Sequence, residues 1–188
     1  MNSIDSEIFK GIDFTKTRLP IAEYDNCQFI NCNFSSSDIS NCTFLECEFT
    51  DCNLSNTLAK NTTFQEVDFK DCKIIGLKFN ECNDFLLTIT FWKCQLNLSS
   101  FYKLKLKNTL FNSCNLQEVD FTETDLSNSK FDQCDLHSAI FDYTNLEKVD
   151  FRTAHNYNID LENNRLKNAR FSSDGLKGLL NKYSIKID

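Results

Sequence analysis

Large apolar residues recur every five positions along nearly the whole chain. Counting from Phe9, fourteen of the first fifteen positions in this series, up to Phe79, hold a large apolar residue. After a slip of two residues within 80–90, the series resumes at Phe91 and alternates Phe with Leu. Seventeen of the 18 Phe fall on this position, and Phe85, inside the slip, is the exception. A period of five fits neither an α-helix nor a flat β-strand, whose periods are 3.6 and 2.

A second inward position lies two residues before each large one. All ten Cys occupy it, and elsewhere it mostly holds small or β-branched residues, while the other three positions are predominantly polar. This pattern predicts a chain that turns a corner every five residues, so that four corners close a coil of 20 residues. Successive coils would stack at the strand spacing of about 4.8 Å. The 22 Asn suit such corners, because Asn tolerates left-handed backbone.

The spacing therefore predicts an all-β, quadrilateral β-helix of about eight coils over residues 1–171. Its expected structural core includes Phe29, Phe49, Phe69, Phe91, Phe111, Phe131, Cys94, Cys114 and Cys134. Stacking at intervals of 20 residues also sorts the thiols into interior columns: Cys27 with Cys47, then Cys32, Cys52 and Cys72, then Cys94, Cys114 and Cys134.

Two stretches depart from the repeat. In the slip at 80–90, Asp84 falls where a core residue belongs, and we expect Phe85 to turn inward in its place. This slip is interpreted as a bulge that bends the rod, and a small functional loop is the alternative. The second departure is Asn156, where Tyr157 or Ile159 is expected to fill the gap.

The C-terminal residues 172–188 change character. Ser172, Ser173 and Asp174 offer a helix N-cap, and an apolar stripe with helical spacing follows at Leu176, Leu179, Leu180 and Tyr183. We expect a short amphipathic helix that caps the last coil, followed by a possible strand over 184–187 that contains Ile185.

The repeats resemble those of the pentapeptide repeat proteins. The segments CNLQEVDFTETDLSNSKF (114–131) and CDLHSAIFDYTNLEKVDF (134–151) fit the family consensus A-(D/N)-L-x-x, with Cys or Val often replacing Ala. The resemblance covers about residues 9–171 and implies a right-handed quadrilateral β-helix.

The tail IDLENNRLKNARFSSDGLKGLLNKYSIKI resembles the C-terminal region of the Qnr-type and microcin-immunity branch of that family. That likeness implies a tail that caps the rod and joins two copies tail to tail as a homodimer. The contacts would be made by Leu176, Leu179, Leu180, Tyr183 and Ile185.

Candidate chemistry is sparse, so we expect no catalytic residues, no metal and no cofactor. The ten Cys include no C-x2-C pair, and stacked parallel thiols have poor disulfide geometry, which favours buried filler over a metal or redox site. His137 and His155 occupy outward positions, and no glycine-rich phosphate loop exists. The N-terminus lacks a signal-peptide pattern and the chain lacks a long apolar run, so a cytoplasmic protein without a membrane partner is expected.

The charge distribution suggests the partner. A net charge of −7 and a pI near 4.9 argue against direct nucleic-acid binding through phosphate neutralisation. Acidic residues stack at intervals of 20 in residues 46–71 and recur in 118–125; the expected partner surface comprises Glu46, Glu48, Asp51, Glu66, Asp68, Asp71, Glu118, Asp120, Glu123 and Asp125. The leading hypothesis is a rod that imitates duplex DNA. The Qnr resemblance implies DNA gyrase or topoisomerase IV as its partner, which it would protect from a quinolone or a toxin. Solvated surface, a generic protein-interaction scaffold and a cysteine-based metal or redox protein are the alternatives.

Overall fold

The computed structural model describes residues 2–185, which form a β-solenoid with four faces. This part of the chain contains eleven short strands: β1 Ser3–Asp5, β2 Ile8–Lys10, β3 Glu23–Asp25, β4 Gln28–Ile30, β5 Thr43–Leu45, β6 Glu48–Thr50, β7 Thr63–Gln65, β8 Val67–Lys70, β9 Ile89–Trp92, β10 Leu110–Asn112 and β11 Lys130–Asp132. Face 1 carries a seven-stranded sheet in the order β11-β10-β9-β8-β6-β4-β2, and face 4 carries the sheet β1-β3-β5-β7. Every pairing is parallel.

Faces 2 and 3 are held by single β-bridges between residues one turn apart. On face 2 a bridge joins Asn33 to Asn53, and on face 3 a bridge joins Ser100 to Asp120. At most corners the backbone is left-handed, for example at Asn26 (φ 49°) and Asn128 (φ 62°). Nine of the 22 Asn lie at such corners, where Asn adopts this conformation at lower cost than most residues.

Stacked aromatic rings fill the interior. A column of phenylalanines runs along face 1, with ring centroids of successive members 4.6–5.4 Å apart: Phe9, Phe29, Phe49, Phe69, Phe91, Phe111, Phe131, Phe151 and Phe171. Each core residue named from the sequence, including Cys94, Cys114 and Cys134, is at most 2% exposed. The predicted quadrilateral β-helix is confirmed.

The expected count of about eight coils is higher than the number of turns that regular strands form. The seven strands of face 1 define about six turns. Beyond β11 the stack continues through isolated bridges from Lys130 to Asp150 and from Asp150 to Arg170. The later turns therefore keep the spacing of the repeat, but their straight segments are too short to count as strands.

The expectation that Phe85 turns inward is wrong. Phe85 is 70% exposed, Asp84 is also exposed, and Leu87 takes the interior position at 8% exposure. The reason lies in the next strand, because β9 pairs in register with β8, Phe69 opposite Phe91. The two extra residues must be accommodated before β9 begins, and they loop outward at the corner between faces 4 and 1.

The cysteine columns are longer than the sequence suggested. Because β8 and β9 stay in register across the slip, Cys72 lies next to Cys94, and the two expected triplets join into one interior column: Cys32, Cys52, Cys72, Cys94, Cys114 and Cys134. All ten Cys are buried and unpaired in disulfides. Nine of them donate through Sγ to backbone oxygens, as from Cys72 to Phe49 at 3.2 Å and from Cys94 to Phe69 at 3.3 Å.

The C-terminus forms the expected short helical cap, although the helix is brief. A 3-10 turn at Asp174–Leu176 leads into α1, Lys177–Leu180, and a second 3-10 turn follows at Asn181–Tyr183. Leu179 is buried, whereas Leu176, Tyr183 and Ile185 are exposed. Ser184 lies in a left-handed turn, so the suggested strand does not begin there, and residues 186–187 lie outside the described range. Within residues 2–185, no helix is long and apolar enough to cross a membrane.

Tyr157 connects the last turns to the cap. It fills the gap at Asn156, as expected, and is 4% exposed, with Ile159 at 1%. Gly175 and Gly178 pack directly on the Tyr157 side chain and backbone, where an added methyl group would overlap Tyr157 atoms. The backbone N–H of Ile159 also donates to the Gly178 oxygen at 2.9 Å. Contact between these two glycines and Tyr157 therefore holds the cap against the last turns. The glycines also limit the length of regular helix, because Gly has low helix propensity.

We predict that Gly178→Ala destabilises the docked cap by about 1–3 kcal/mol, because the new methyl group overlaps the Tyr157 backbone oxygen. Ala normally stabilises a helix relative to Gly by about 0.5–1 kcal/mol. A loss of stability in Gly178→Ala would therefore show that the contact with Tyr157 outweighs helix propensity. We expect faster hydrogen exchange of the backbone amides over 174–183, which reports the lost stability of the cap. The control is Lys177→Ala, an exposed change on the same helix. Unchanged exchange in Gly178→Ala would contradict this packing.

We predict that the thiols of the native protein resist modification by Ellman's reagent at pH 8. Burial excludes the reagent and raises the pKa of Cys47 and Cys82 to about 12, so the reactive thiolate is scarce. Unfolding in guanidinium should release all ten. Rapid modification of most thiols in the folded protein would instead favour the metal or redox alternative.

Candidate partner-binding surface

Histidine and cysteine are the residues that a metal-binding or redox function would use. Over residues 2–185, no group of three or more His, Cys, Asp or Glu side chains is arranged to hold a metal ion. His137 and His155 are exposed, as their outward positions predicted. Both line an open cleft of about 610 Å³ between the last turns and the cap, next to Tyr157 and Lys177. The candidate partner-binding residues lie elsewhere, on the outer surface of the rod.

The first six acidic residues lie on and beside face 1 in two successive turns. Glu48 and Asp68 are direct neighbours on strands β6 and β8. The corner between faces 4 and 1 places Glu46 one turn from Glu66, and the corner between faces 1 and 2 places Asp51 one turn from Asp71. We call these six residues, Glu46, Glu48, Asp51, Glu66, Asp68 and Asp71, the acidic face.

Lys70 is the one cation that pairs with the acidic face within residues 2–185. Its Nζ hydrogen-bonds to Glu48 Oε2 and lies 3.9 Å from Asp68 Oδ2. The hydrogen bond from Lys70 lowers the pKa of Glu48, and the same bond raises the pKa of Lys70. Sequence reasoning missed this residue, although its place two positions after Asp68, on the same outward side of face 1, could have revealed it.

The other four acidic residues lie on different sides of the rod. Asp120 bridges to Ser100 on face 3 and Asp125 to Lys105 on face 4, while Glu118 and Glu123 occupy the corners on either side of face 3. The ten residues therefore form two separate patches.

Neighbouring side chains and backbone groups pair with acidic residues of the second patch. Lys103 Nζ lies 3.4 Å from Glu123, and Lys107 Nζ lies 3.3 Å from Asp125. Partial burial acts to raise the pKa of Asp125, but hydrogen bonds from Ser127 and Lys107 outweigh it and lower that pKa. Asp120 Oδ1 accepts from the Thr122 backbone N–H at 2.9 Å. The acidic face has fewer such partners: among residues 2–185, Glu46, Asp51, Glu66 and Asp71 form no ion pair.

Comparison with known proteins places the fold in a family. A family model of the pentapeptide repeat region matches residues 22–101 and 85–171. The chain is similar to a trypsin-treated form of QnrB1, a plasmid-mediated fluoroquinolone resistance protein, at a TM-score of 0.75 and 16% identity, over 100% of this chain and 92% of that one. Full-length QnrB1 gives a TM-score of 0.55 and 17% identity, over 98% and 100% of the two chains. No curated protein matches the sequence.

At such identities the likeness to QnrB1 establishes a common fold. The family model shows more than a common fold, because it matches the sequence itself over most of the repeat region. This chain belongs to the pentapeptide repeat family.

Proposed function

We propose that the protein is a non-catalytic binding rod whose acidic face imitates the phosphate backbone of duplex DNA. Its partner would be a type II topoisomerase, DNA gyrase or topoisomerase IV, which the rod protects from a quinolone or a toxin. In this proposal residues 1–171 supply the binding rod, and residues 172–188 cap it and join two copies.

The charge density of the acidic face carries this proposal. Six carboxylates and Lys70 lie within two turns, a net charge of −5. At about 4.8 Å per turn, this corresponds to about one negative charge per 2 Å of rod. Duplex DNA carries about one per 1.7 Å of its axis. A surface evolved to bind DNA therefore meets a similar linear charge on this side of the rod.

The stacked like charges also have a cost that calls for a reason. Two carboxylates about 5 Å apart repel by about 1 kcal/mol even in a water-like dielectric. Glu46 and Glu66, and likewise Asp51 and Asp71, occupy the same corner in successive turns without a neutralising partner within residues 2–185. Binding to a basic surface would relieve this repulsion, which is consistent with a role in recognition.

The likeness to QnrB1 supports the choice of partner class. Its name describes a fluoroquinolone resistance protein, and its fold is shared along the full length of this chain. The C-terminal segment resembles the Qnr-type tail, with Leu176, Tyr183 and Ile185 exposed beside the half-buried Leu180. Such an apolar surface suits contact with a second copy.

A generic interaction scaffold is the second candidate. The separation of the two acidic patches favours it, because Asp120 and Asp125 lie on faces 3 and 4 rather than on face 1. A partner that reads one side of the rod without any affinity for DNA would tolerate this scattered charge.

We predict that the wild-type protein alters quinolone inhibition in a gyrase supercoiling assay at micromolar concentration. The variant Glu46→Gln, Asp51→Asn, Glu66→Gln, Asp71→Asn should bind gyrase about tenfold more weakly, because it loses the charge that attracts a basic surface.

The matched control neutralises four charges of the second patch: Glu118→Gln, Asp120→Asn, Glu123→Gln, Asp125→Asn. It should behave as wild type. Asn can replace Asp at these turns, as shown by Asn115, whose Oδ1 accepts from the Gln117 backbone N–H at 3.1 Å. No binding and no effect on inhibition by the wild-type protein would overturn the topoisomerase proposal and leave the scaffold.

We predict that Leu180→Asp halves the mass measured by light scattering in about 1 M salt. An apolar tail-to-tail contact persists at this ionic strength, whereas surface ionic contacts are screened over about 3 Å. Asp would place a charge in the contact and abolish it. Lys177→Ala, at an exposed position on the same helix, should keep the dimer mass. A wild-type protein that is already monomeric in 1 M salt would exclude the tail-to-tail dimer.

A further inference from the structure

One edge of the rod changes the sign of its charge at the bulge. We call the outward-facing residues of faces 4 and 1 the charged edge. Between residues 3 and 70 it carries seven acidic residues against Lys10 and Lys70: Asp5, Glu23, Asp25, Glu46, Glu48, Glu66 and Asp68. Between residues 105 and 170 it carries eight basic residues: Lys105, Lys107, Lys130, Lys148, Arg152, Arg165, Lys167 and Arg170.

Ion pairs within the chain leave both halves with unmatched charge. The four acidic residues of the basic half each pair with a neighbour: Asp125 with Lys107, Asp132 with Lys130, Asp150 with Arg152, and Glu147 with Arg165. Among residues 2–185, Lys105, Lys148, Lys167 and Arg170 then form no ion pair, and in the acidic half only Glu48 and Asp68 have a cation nearby. The edge is therefore a long dipole, negative toward the N-terminus and positive toward the C-terminus.

The boundary between the two halves exposes apolar side chains. Phe85 is 70% exposed and Leu86 is 55% exposed, on the outward bulge that absorbs the register slip. Phe85 is the single phenylalanine outside the core series, so the chain departs from its own packing rule at the midpoint of the charged edge. Exposed aromatic residues at the centre of a patch are typical of interaction hot spots.

We propose that the charged edge binds a second copy of this chain, with the two rods side by side and antiparallel. A twofold axis at the bulge would bring the acidic half of each rod onto the basic half of the other, and Phe85 of one copy next to Phe85 of its partner. An interface of this kind is isologous, since each patch meets the same patch on the second copy.

The spacing of charges along the rod fits this arrangement. Counted in turns from the bulge, Glu66 and Lys107 lie one turn away on opposite sides, and Glu48 and Lys130 lie two. Asp25 and Lys148 lie three turns away, and Asp5 and Lys167 lie four. Antiparallel rods would bring the members of every such pair together. A parallel arrangement would instead set like charges against each other.

This pairing does not depend on the proposed function, and it would cover part of the acidic face. Self-association would then compete with a DNA-binding partner for the same surface. Its test uses Asp5, Asp25, Lys148 and Lys167, none of which belongs to the acidic face, so failure of one proposal does not entail failure of the other.

The experiment is carried out in the full-length Leu180→Asp protein, so that a tail-to-tail contact does not contribute. Sedimentation at low salt should show a dimer that dissociates at about 1 M salt, where charge is screened over about 3 Å. The variant Asp5→Lys, Asp25→Lys and the variant Lys148→Glu, Lys167→Glu should each be monomeric, because each sets like charges against each other at the third and fourth turns from the bulge. Mixing the two should restore a one-to-one dimer.

Phe85→Ser tests the contact on the axis and should weaken the dimer at least tenfold. His137→Ala, a surface change on face 2, is its control. A monomeric mass of the Leu180→Asp protein at low salt would overturn the proposal. Persistence of the dimer in either charge-reversed variant, or failure of the two variants to associate when mixed, would overturn it as well.

Discussion

The structure depends on one constraint, the stacking of each residue on the residue one turn earlier. The parallel backbone ladder fixes the distance between turns, and the phenylalanine column of face 1 follows it with centroids 4.6–5.4 Å apart. Large residues therefore contact large residues, and thiols contact thiols. The core does not depend on complementary packing of unlike side chains, because each turn repeats the packing of the turn before it.

The same constraint acts on the surface, where it has a less favourable consequence. A charged side chain lies next to the side chain at the same position in the following turn, as Glu48 lies next to Asp68. Opposite charges at such positions give local ion pairs, such as Lys103 with Glu123 at 3.4 Å. Like charges give extended fields. A solenoid can thus concentrate negative charge on one side at little cost to its core, which makes its surface a suitable place for recognition.

Much of the fold followed from the chain alone, because the period of five is read by counting. The β-helix, the buried Cys and Phe, and the replacement of Asn156 by Tyr157 were predictable. The exposed position of Phe85 was not predictable, because the local sequence does not determine which residues of an insertion loop outward. The pairing of β8 with β9 determines it. The brief cap was also unpredictable, since the contacts of Gly175 and Gly178 with Tyr157 join segments far apart in sequence. The apolar stripe at Leu176, Leu179 and Leu180 indicated a helix and carried no information on these contacts.

Outside the slip at 80–90, the sequence by itself determined which residues face inward, since each inward position repeats at a fixed interval and burial follows from it. Only the tertiary structure decided which side of the rod each outward residue occupies. Glu118 follows Glu46 by 72 residues, which is three and a half turns once the two extra residues of the slip are subtracted, so the two occupy opposite corners. The candidate acidic surface therefore divides into two patches, and the lysines and arginines beyond residue 105 align with the acidic residues near the N-terminus along one edge. The number of residues between two charges sets their separation along the chain, but the path of the backbone around the corners sets the direction in which each one points.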